Sequence, residues 1–368
     1  MWQTLHRNSY LRQKAYINVM MMLRIIGWLL LIEAAFMSIP LIVSICFGEK
    51  DWPWMLMSVL ITGAVGGALL LRHPKSREMG KREAILFTSL TWVILSGFGM
   101  LPFLFCKTHL SVTDAFFETM SGFTTTGASV LNSLADVPRS VLLWRCIVQW
   151  IGGLGIILFT LAVVPNLNYK GGMQLFYAEV PGVTHDKLRP RISFTAQGLW
   201  LVYGILTAIL IILLSFSSMD YFEAVCYGLS CISTGGFAND EMYNEQMNSV
   251  YVKAVMTLFM FIGGVNFTLL YKAVNGNFRS LLHNDALKWY GSFVIFFYLV
   301  LTFNVWQQDL AFGVDDLTID PLFQAMSILS STGITEPDFV DWGPMATVAM
   351  IVMMFMGACA GSTSGGAK

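Results

Sequence analysis

Long apolar runs alternate with short polar stretches along most of this chain. Runs long enough to cross a bilayer fall at 22–47, 54–72, 84–105, 141–165, 195–217, 250–272, 288–308 and 343–366, against the ~20 residues that a helix needs to span the hydrocarbon. Pro40 is expected to kink the first run, and polar or glycine-rich interruptions weaken the last. A second kind of stretch lies between some of these runs. Residues 114–123 read as a short helix, acidic at the start and aromatic in the middle. It gives way to Thr124, Thr125, Thr126 and Gly127, too polar for a lipid-facing segment and too β-branched to continue a helix well.

This short stretch returns twice. Residues 121–127 align with 230–236 at a shift of 109 and with 327–333 at a shift of 206. In each copy a serine stands six residues before a glycine, with hydroxyl residues filling most of the gap. Three such strings in an apolar chain indicate a repeated architecture. The unit is a spanning helix, a short outer helix, a hydroxyl–glycine run and a second spanning helix. Helix-start chemistry supports the short helices: Ser111 precedes Asp114, and Asp220 precedes Glu223, at capping-box spacing, while Asp320 and Pro321 read as an N-cap and a first-turn proline. The short helices then start at the outer surface and end inward, so their free carbonyls face the path and favour a cation.

The glycines suggest how an ion would be selected. Gly127, Gly235, Gly236 and Gly333 permit backbone conformations that most residues resist. Carbonyl and hydroxyl oxygens from Thr124, Thr125, Thr126 and Gly127, from Ser233, Thr234, Gly235 and Gly236, and from Ser330, Ser331, Thr332 and Gly333 can replace the hydration shell of a large monovalent cation. A divalent ion would call for carboxylates, which these runs lack. A plain turn between helices explains one copy; it does not explain three in register.

Composition and charge fix the setting. The 368 residues are 55% hydrophobic and 12% charged, with a mean hydropathy of +0.63, which is an integral membrane protein. The basic residues fall mostly on one side: four in the N-terminal segment, five in 72–83, four in 166–194, three in 272–288, and Lys368, against Lys50, Lys107, Arg139, Arg145 and Lys253 on the other. The first set is therefore cytoplasmic. Acidic residues run the opposite way, 17 outside and five inside, and would give the outer mouth a negative field that gathers cations. Glu33 alone lies within a span; packing or interface pairing is the expected role, since one acid without a series is a poor proton relay. The first 24 residues carry basic side chains without a small-residue cleavage site, so no cleavable signal peptide is expected. The six cysteines sit in or beside apolar runs without CxxC spacing, and the five histidines show no metal spacing.

Further along the helices, Gly152-Gly153 and Gly263-Gly264 match at a shift of 111, with Met356-Gly357 in the same place in the third unit. The first two pairs read as close-packing sites. The third opens a run of small residues, Gly357, Ala358, Cys359, Ala360, Gly361, Ser362, Thr363, Ser364, Gly365 and Gly366, where the backbone is expected to unwind or bend, unlike its apolar sister copies. Arg145 and Gln149, one turn apart, read as a hydrogen-bonding pair behind the filter, with Glu118 a candidate partner of Arg145. Asn266 reads as a tie between helices.

The motifs AFFETMSGFTTTGASV, LLWRCIVQWIGGLGI, STGGF, GGVNFTLL and GACAGSTSGG resemble those of the TrkH/TrkG/KtrB family of bacterial potassium-uptake subunits, from about residue 20 to the end. The resemblance implies an all-α polytopic fold of tandem helix–pore-helix–filter–helix units around a pseudo-fourfold pore, preceded by an extra helix pair. It divides this chain into a cytoplasmic N-terminus (1–21), the helix pair (22–83) and pore repeats at 84–170, 190–276 and 284–368. It also implies that residues 357–366 form an intramembrane gating loop beneath the filter, with Lys368 a basic residue at its end. K⁺ is then the transported ion and no bound cofactor is implied. The expected partners are membrane lipid, a second copy in a homodimer and a cytosolic nucleotide-binding subunit of the TrkA/KtrA type, without nucleic acid, in the bacterial inner membrane. Because the chain spans three of four repeats, it is expected to be a fragment or a truncated, inactive product.

Two other classes compete. A Na⁺- or H⁺-coupled secondary cation transporter predicts inverted repeats, whereas these repeats share one orientation. A membrane enzyme would need a base beside a nucleophile, or a recognisable site motif, and none is present.

Overall fold

The computed structural model describes residues 18–71, 81–108, 110–131, 133–155, 192–238, 249–308, 310, 313–335 and 337–367. The chain is a helical membrane bundle that begins with a hairpin of α1 (Val19–Cys46) and α2 (Trp52–Leu70). The hairpin closes on two glycines: a Cβ on Gly27 would stand 2.9 Å from the Gly66 carbonyl oxygen, and one on Gly66 would stand 3.0 Å from that of Gly27. Without a hydrophobic drive between helices in lipid, such small-residue contacts let van der Waals packing hold the pair. Helix α1 continues through Pro40.

Unit one follows as α3 (Lys81–Gly99), α4 (Leu101–Phe105), the short α5 (Val112–Phe123) and α6 (Arg139–Gly153). Unit two is α7 (Ile192–Ser215), α8 (Tyr221–Ile232), α9 (Val250–Gly263) and α10 (Phe267–Val274). A short α11 (Arg279–Leu282) leads to unit three, which is α12 (Asp285–Gln307), α13 (Val314–Leu329), a 3₁₀ turn (Pro337–Trp342) and α14 (Gly343–Phe355). Among the described residues five helices are long and apolar enough to cross a membrane, or six if α9 and α10 count as one bent span. Outward side chains such as Ile42, Leu60, Ile212, Ile295 and Phe355 are exposed, as a lipid-facing surface requires.

The units pack in chain order. Helix α6 of unit one lies on α8 of unit two, and α9 of unit two lies on α13 of unit three. Aromatic rings seal the first junction: Trp150 stacks on Tyr203 at 5.3 Å, with Trp200 edge-on at 5.4 Å. The hairpin is tied to unit one by Glu49, whose carboxylate accepts from the Ser140 backbone N–H at 3.3 Å and hydroxyl at 2.5 Å, capping α6.

The run 343–366 unwinds where expected, being helical only to Phe355. Two expectations change. The run 250–272 is not one straight span, because α9 and α10 meet at 101°. Asp320 does not cap its helix: α13 starts at Val314 and continues through Pro321, while the Asp320 carboxylate binds Lys253 at 2.6 Å. Of the other two caps, the Ser111 hydroxyl accepts the Asp114 N–H at 3.2 Å, and Asp220 stands at the N-cap position without a side-chain bond. Residues 1–17, 72–80 and 156–191, and with them most of the expected cytoplasmic segments, lie outside the described residues.

Candidate functional site

The short helices α5, α8 and α13 end in the same way. In unit one the N–H of Thr125 donates to Gly122 O at 2.9 Å, and that of Thr126 to Ser121 O at 2.8 Å. The matching pairs are Thr234 to Cys231 at 3.0 Å and Gly235 to Ser230 at 3.0 Å, then Ser331 to Ile328 and Thr332 to Ser327, both at 2.9 Å. This double closure of a helix end requires a left-handed residue, for which glycine is usual. Here Thr125, Thr234 and Ser331 take it, at φ 50°, 52° and 58°, a strain of roughly 1–2 kcal/mol each. Two residues on, Gly127, Gly236 and Gly333 are left-handed again, at φ 75°, 76° and 80°. The three candidate strands therefore share one backbone.

The strands also touch. A Cβ on Gly127 would overlap the Gly235 carbonyl oxygen, and one on Gly236 would overlap that of Thr332. Each glycine thus receives the carbonyl that precedes the glycine of the next strand. At Gly333 such a Cβ would meet nothing within 4 Å among the described residues.

Charged and amide groups brace this arrangement from behind. Arg145, buried on α6, donates from Nε to Glu118 at 2.8 Å, from one terminal nitrogen to the Ser129 hydroxyl at 3.0 Å and from the other to Ala238 O at 3.1 Å. Its guanidinium lies 4.2 Å from the Phe237 ring centre. Glu118 also accepts from the Ser129 hydroxyl and the Val130 N–H, both at 2.9 Å. A buried pair is tolerated when its remaining polar atoms are satisfied in this way. Arg145 thereby joins the segment after strand one to the segment after strand two. Gln149 is not its partner: the amide bonds Ser230, Gly235 and Phe237 instead. Glu33 is buried, and neither carboxylate oxygen is hydrogen-bonded among the described residues; its Oε1 fills the space above Gly99 beside Thr119 and Phe123.

Beneath the strands the second helices stop at or just before their glycines. Helix α6 ends at Gly153, α9 at Gly263 and α14 at Phe355, so the third unit is not alone in unwinding. The glycine pairs permit contact with the strand above: a Cβ on Gly152 would overlap Phe123 O, and one on Gly263 would lie 3.2 Å from Ile232 O.

After α14 the candidate gate residues run as a non-helical loop, with Gly361 and Gly366 left-handed. It is laced to the break in unit two. Cys359 N–H donates to Gly264 O at 3.0 Å, Phe267 N–H to Gly361 O at 3.1 Å, and Asn266 Nδ2 to Ala360 O at 2.6 Å. Asn266 is thus the expected tie, and it also caps α10 by accepting the Thr268 N–H at 2.8 Å. The loop reaches two of the strained positions: Thr363 Oγ1 lies 3.2 Å from Thr234 Oγ1, and Gly365 N–H donates to Ser331 Oγ at 2.7 Å. A glycine in either strand position would remove these contacts. Lys368 lies outside the described residues. Thr363 and Gln149 as direct contacts of the strands were not expected; for Gln149 the available signal was a polar residue one turn before the Gly152-Gly153 step of a largely apolar helix.

A family model described as a cation transport protein, TrkH, matches residues 54–368. The Trk system potassium uptake protein TrkH of Escherichia coli K12 is 34% identical over 355 residues, which cover 94% of this chain and 72% of that protein. The Trk system potassium uptake protein TrkI of Halomonas elongata is 31% identical, over 94% of this chain and 70% of its own length. The crystal structure of the potassium transporter TrkH from Vibrio parahaemolyticus superposes with a TM-score of 0.83 at 28% identity, covering 95% of this chain and 72% of that one.

Proposed function

Since the chain belongs to the TrkH family of cation transport proteins, we propose that it carries potassium ions across the bacterial inner membrane through the three strands described above. The reading rests on one observation above others: the same two left-handed positions recur at Thr125 and Gly127, Thr234 and Gly236, and Ser331 and Gly333. Backbone locked in this form offers neutral oxygens at set spacing, in place of the water around a large monovalent ion. Thr124 to Gly127, Ser233 to Gly236 and Ser330 to Gly333 are the filter in this reading. The loop 357–366 is the gate: small side chains cross a narrow path, and a few hydrogen bonds to unit two hold one of two positions. The transporting assembly is a homodimer on a cytosolic nucleotide-binding subunit of the TrkA/KtrA type.

The test is ion uptake by the full chain in cells that lack their own potassium uptake. Gly236→Ser places a Cβ on the Thr332 carbonyl and is expected to lower the preference for K⁺ over Na⁺ or to abolish uptake at unchanged membrane yield. Unchanged K⁺ affinity and Na⁺ exclusion in both Gly236→Ser and Gly127→Ser would remove these glycines from the filter. Copurification of a cytosolic nucleotide-binding protein with the tagged chain checks the assembly.

A further inference from the structure

Strand two is held by a side chain from another unit. Gln149 on α6 is buried, and its amide makes three hydrogen bonds, one to the strand itself and one to each of its flanks. Its Oε1 accepts from the Ser230 hydroxyl at 2.8 Å and the Phe237 N–H at 3.2 Å, and its Nε2 donates to the Gly235 carbonyl at 2.7 Å. Gly235 is compact for the same reason, because a Cβ there would stand 2.5 Å from the Gln149 amide carbon. That carbonyl oxygen is also the one resting against Gly127 of strand one. It lies at the junction of two strands, and an amide fixes its direction from behind.

The next junction has the same backbone and a different brace. There the Thr332 carbonyl rests against Gly236. The shift of 111 that relates the two Gly-Gly pairs carries Gln149 onto Met260, a buried side chain with no N–H to donate. A carbonyl already engaged by an N–H offers a cation a weaker and more constrained field. The number and field strength of such oxygens is one of the two physical accounts of K⁺ selection over Na⁺. Resting on the filter reading above, we propose that Gln149 is a positioning residue that sets the ion preference of the filter through the Gly235 carbonyl, making strand two unlike strand three.

Two variants of the full chain test it in the same uptake assay, with folded membrane yield measured alongside. Gln149→Glu keeps the length and the oxygen that accepts from Ser230 and Phe237, but replaces the donor to Gly235 by an acceptor. Gln149→Met copies the side chain of the next unit. Each is expected to lower the ratio of K⁺ to Na⁺ uptake by about five- to tenfold, the scale of one net hydrogen bond. An equal loss of rate for K⁺, Rb⁺ and Na⁺, or an unchanged ratio in whichever variant folds, overturns the inference. Gly236→Ser separates the two readings. If it shifts the ratio and the Gln149 variants do not, only this inference fails; if it too leaves the ratio unchanged, the filter itself was misassigned.

Discussion

Threonine at a left-handed helix end is a costly choice when glycine would fit without strain. At Thr234 and Ser331 the hydroxyls reach the loop below, which is the physical return for keeping a Cβ there. The glycines two residues on differ in their surroundings. Gly127 and Gly236 each face a neighbouring carbonyl, whereas Gly333 has open space among the described residues. Alanine at position 333 therefore meets only the backbone strain of roughly 1–2 kcal/mol, and folded yield should fall less for Gly333→Ala than for Gly127→Ala or Gly236→Ala. Equal losses in a side-by-side detergent stability assay would show that the strand contacts are not the cause. Glu33 presents the opposite case, a buried carboxyl with no hydrogen-bond partner among the described residues. Burying a polar group unpaired costs about 1–3 kcal/mol, so Glu33→Leu should raise the unfolding free energy by that order. A lower melting temperature in this variant would mean that the carboxyl holds something in place.

At the scale of elements, the second helices end where glycine pairs let them approach the strands. In unit two the break is built around Asn266, which caps α10 and donates to Ala360 in the loop. Loss of a helix cap costs about 0.5–2 kcal/mol, and Asn266→Leu also releases the loop carbonyl. The expected outcome is a higher basal flux per folded molecule and a weaker response to the cytosolic partner. Deleting residues 360–364 should act in the same direction and more strongly. Reduced flux in well-folded forms of both variants would defeat the gate, leaving the loop as a packing element. Helix α13 shows the limit of local signals: Asp320-Pro321 has the chemistry of a helix start, yet the helix begins at Val314. Pairing of Asp320 with the buried Lys253 of α9 uses the carboxylate between units instead.

For the whole molecule, three units in chain order place both ends of the hairpin loop and the starts of the short helices on one side, which the charge pattern leads one to expect is the outer side. Two native cysteines report on it. Cys46, exposed at the end of α1, should react with an impermeant maleimide applied to intact cells. Cys106 lies just past α4 and should not, because burial, with Asp51 and Glu49 nearby, pushes its thiol up to about 12. The thiolate is the nucleophile, so raising the pH to 9 should leave Cys106 unlabelled until the protein is unfolded. Failure of Cys46 to react outside, with reaction only after the membrane is opened, would invert the topology.

The amino-acid sequence alone determined the membrane class, the three repeats, the position of each hydroxyl–glycine turn and the unwinding of residues 357–366. These features depend on apolar run length, on recurrence, and on which residues tolerate a left-handed backbone, all of which are local. The Arg145–Glu118 pair, 27 positions apart, was a candidate from the sequence, but only the structure brings the two together. Tertiary structure alone decided the longer pairings: Gln149 with Gly235 across 86 positions, Asn266 with Ala360 across 94, and Thr363 with Ile232 across 131. It also decided that Glu33 has no hydrogen-bond partner among the described residues and that α9 breaks as α14 does. Such contacts follow from how one unit leans on the next, an angle set by glycine-sized gaps between helices, and periodicity along a single helix carries no information about it.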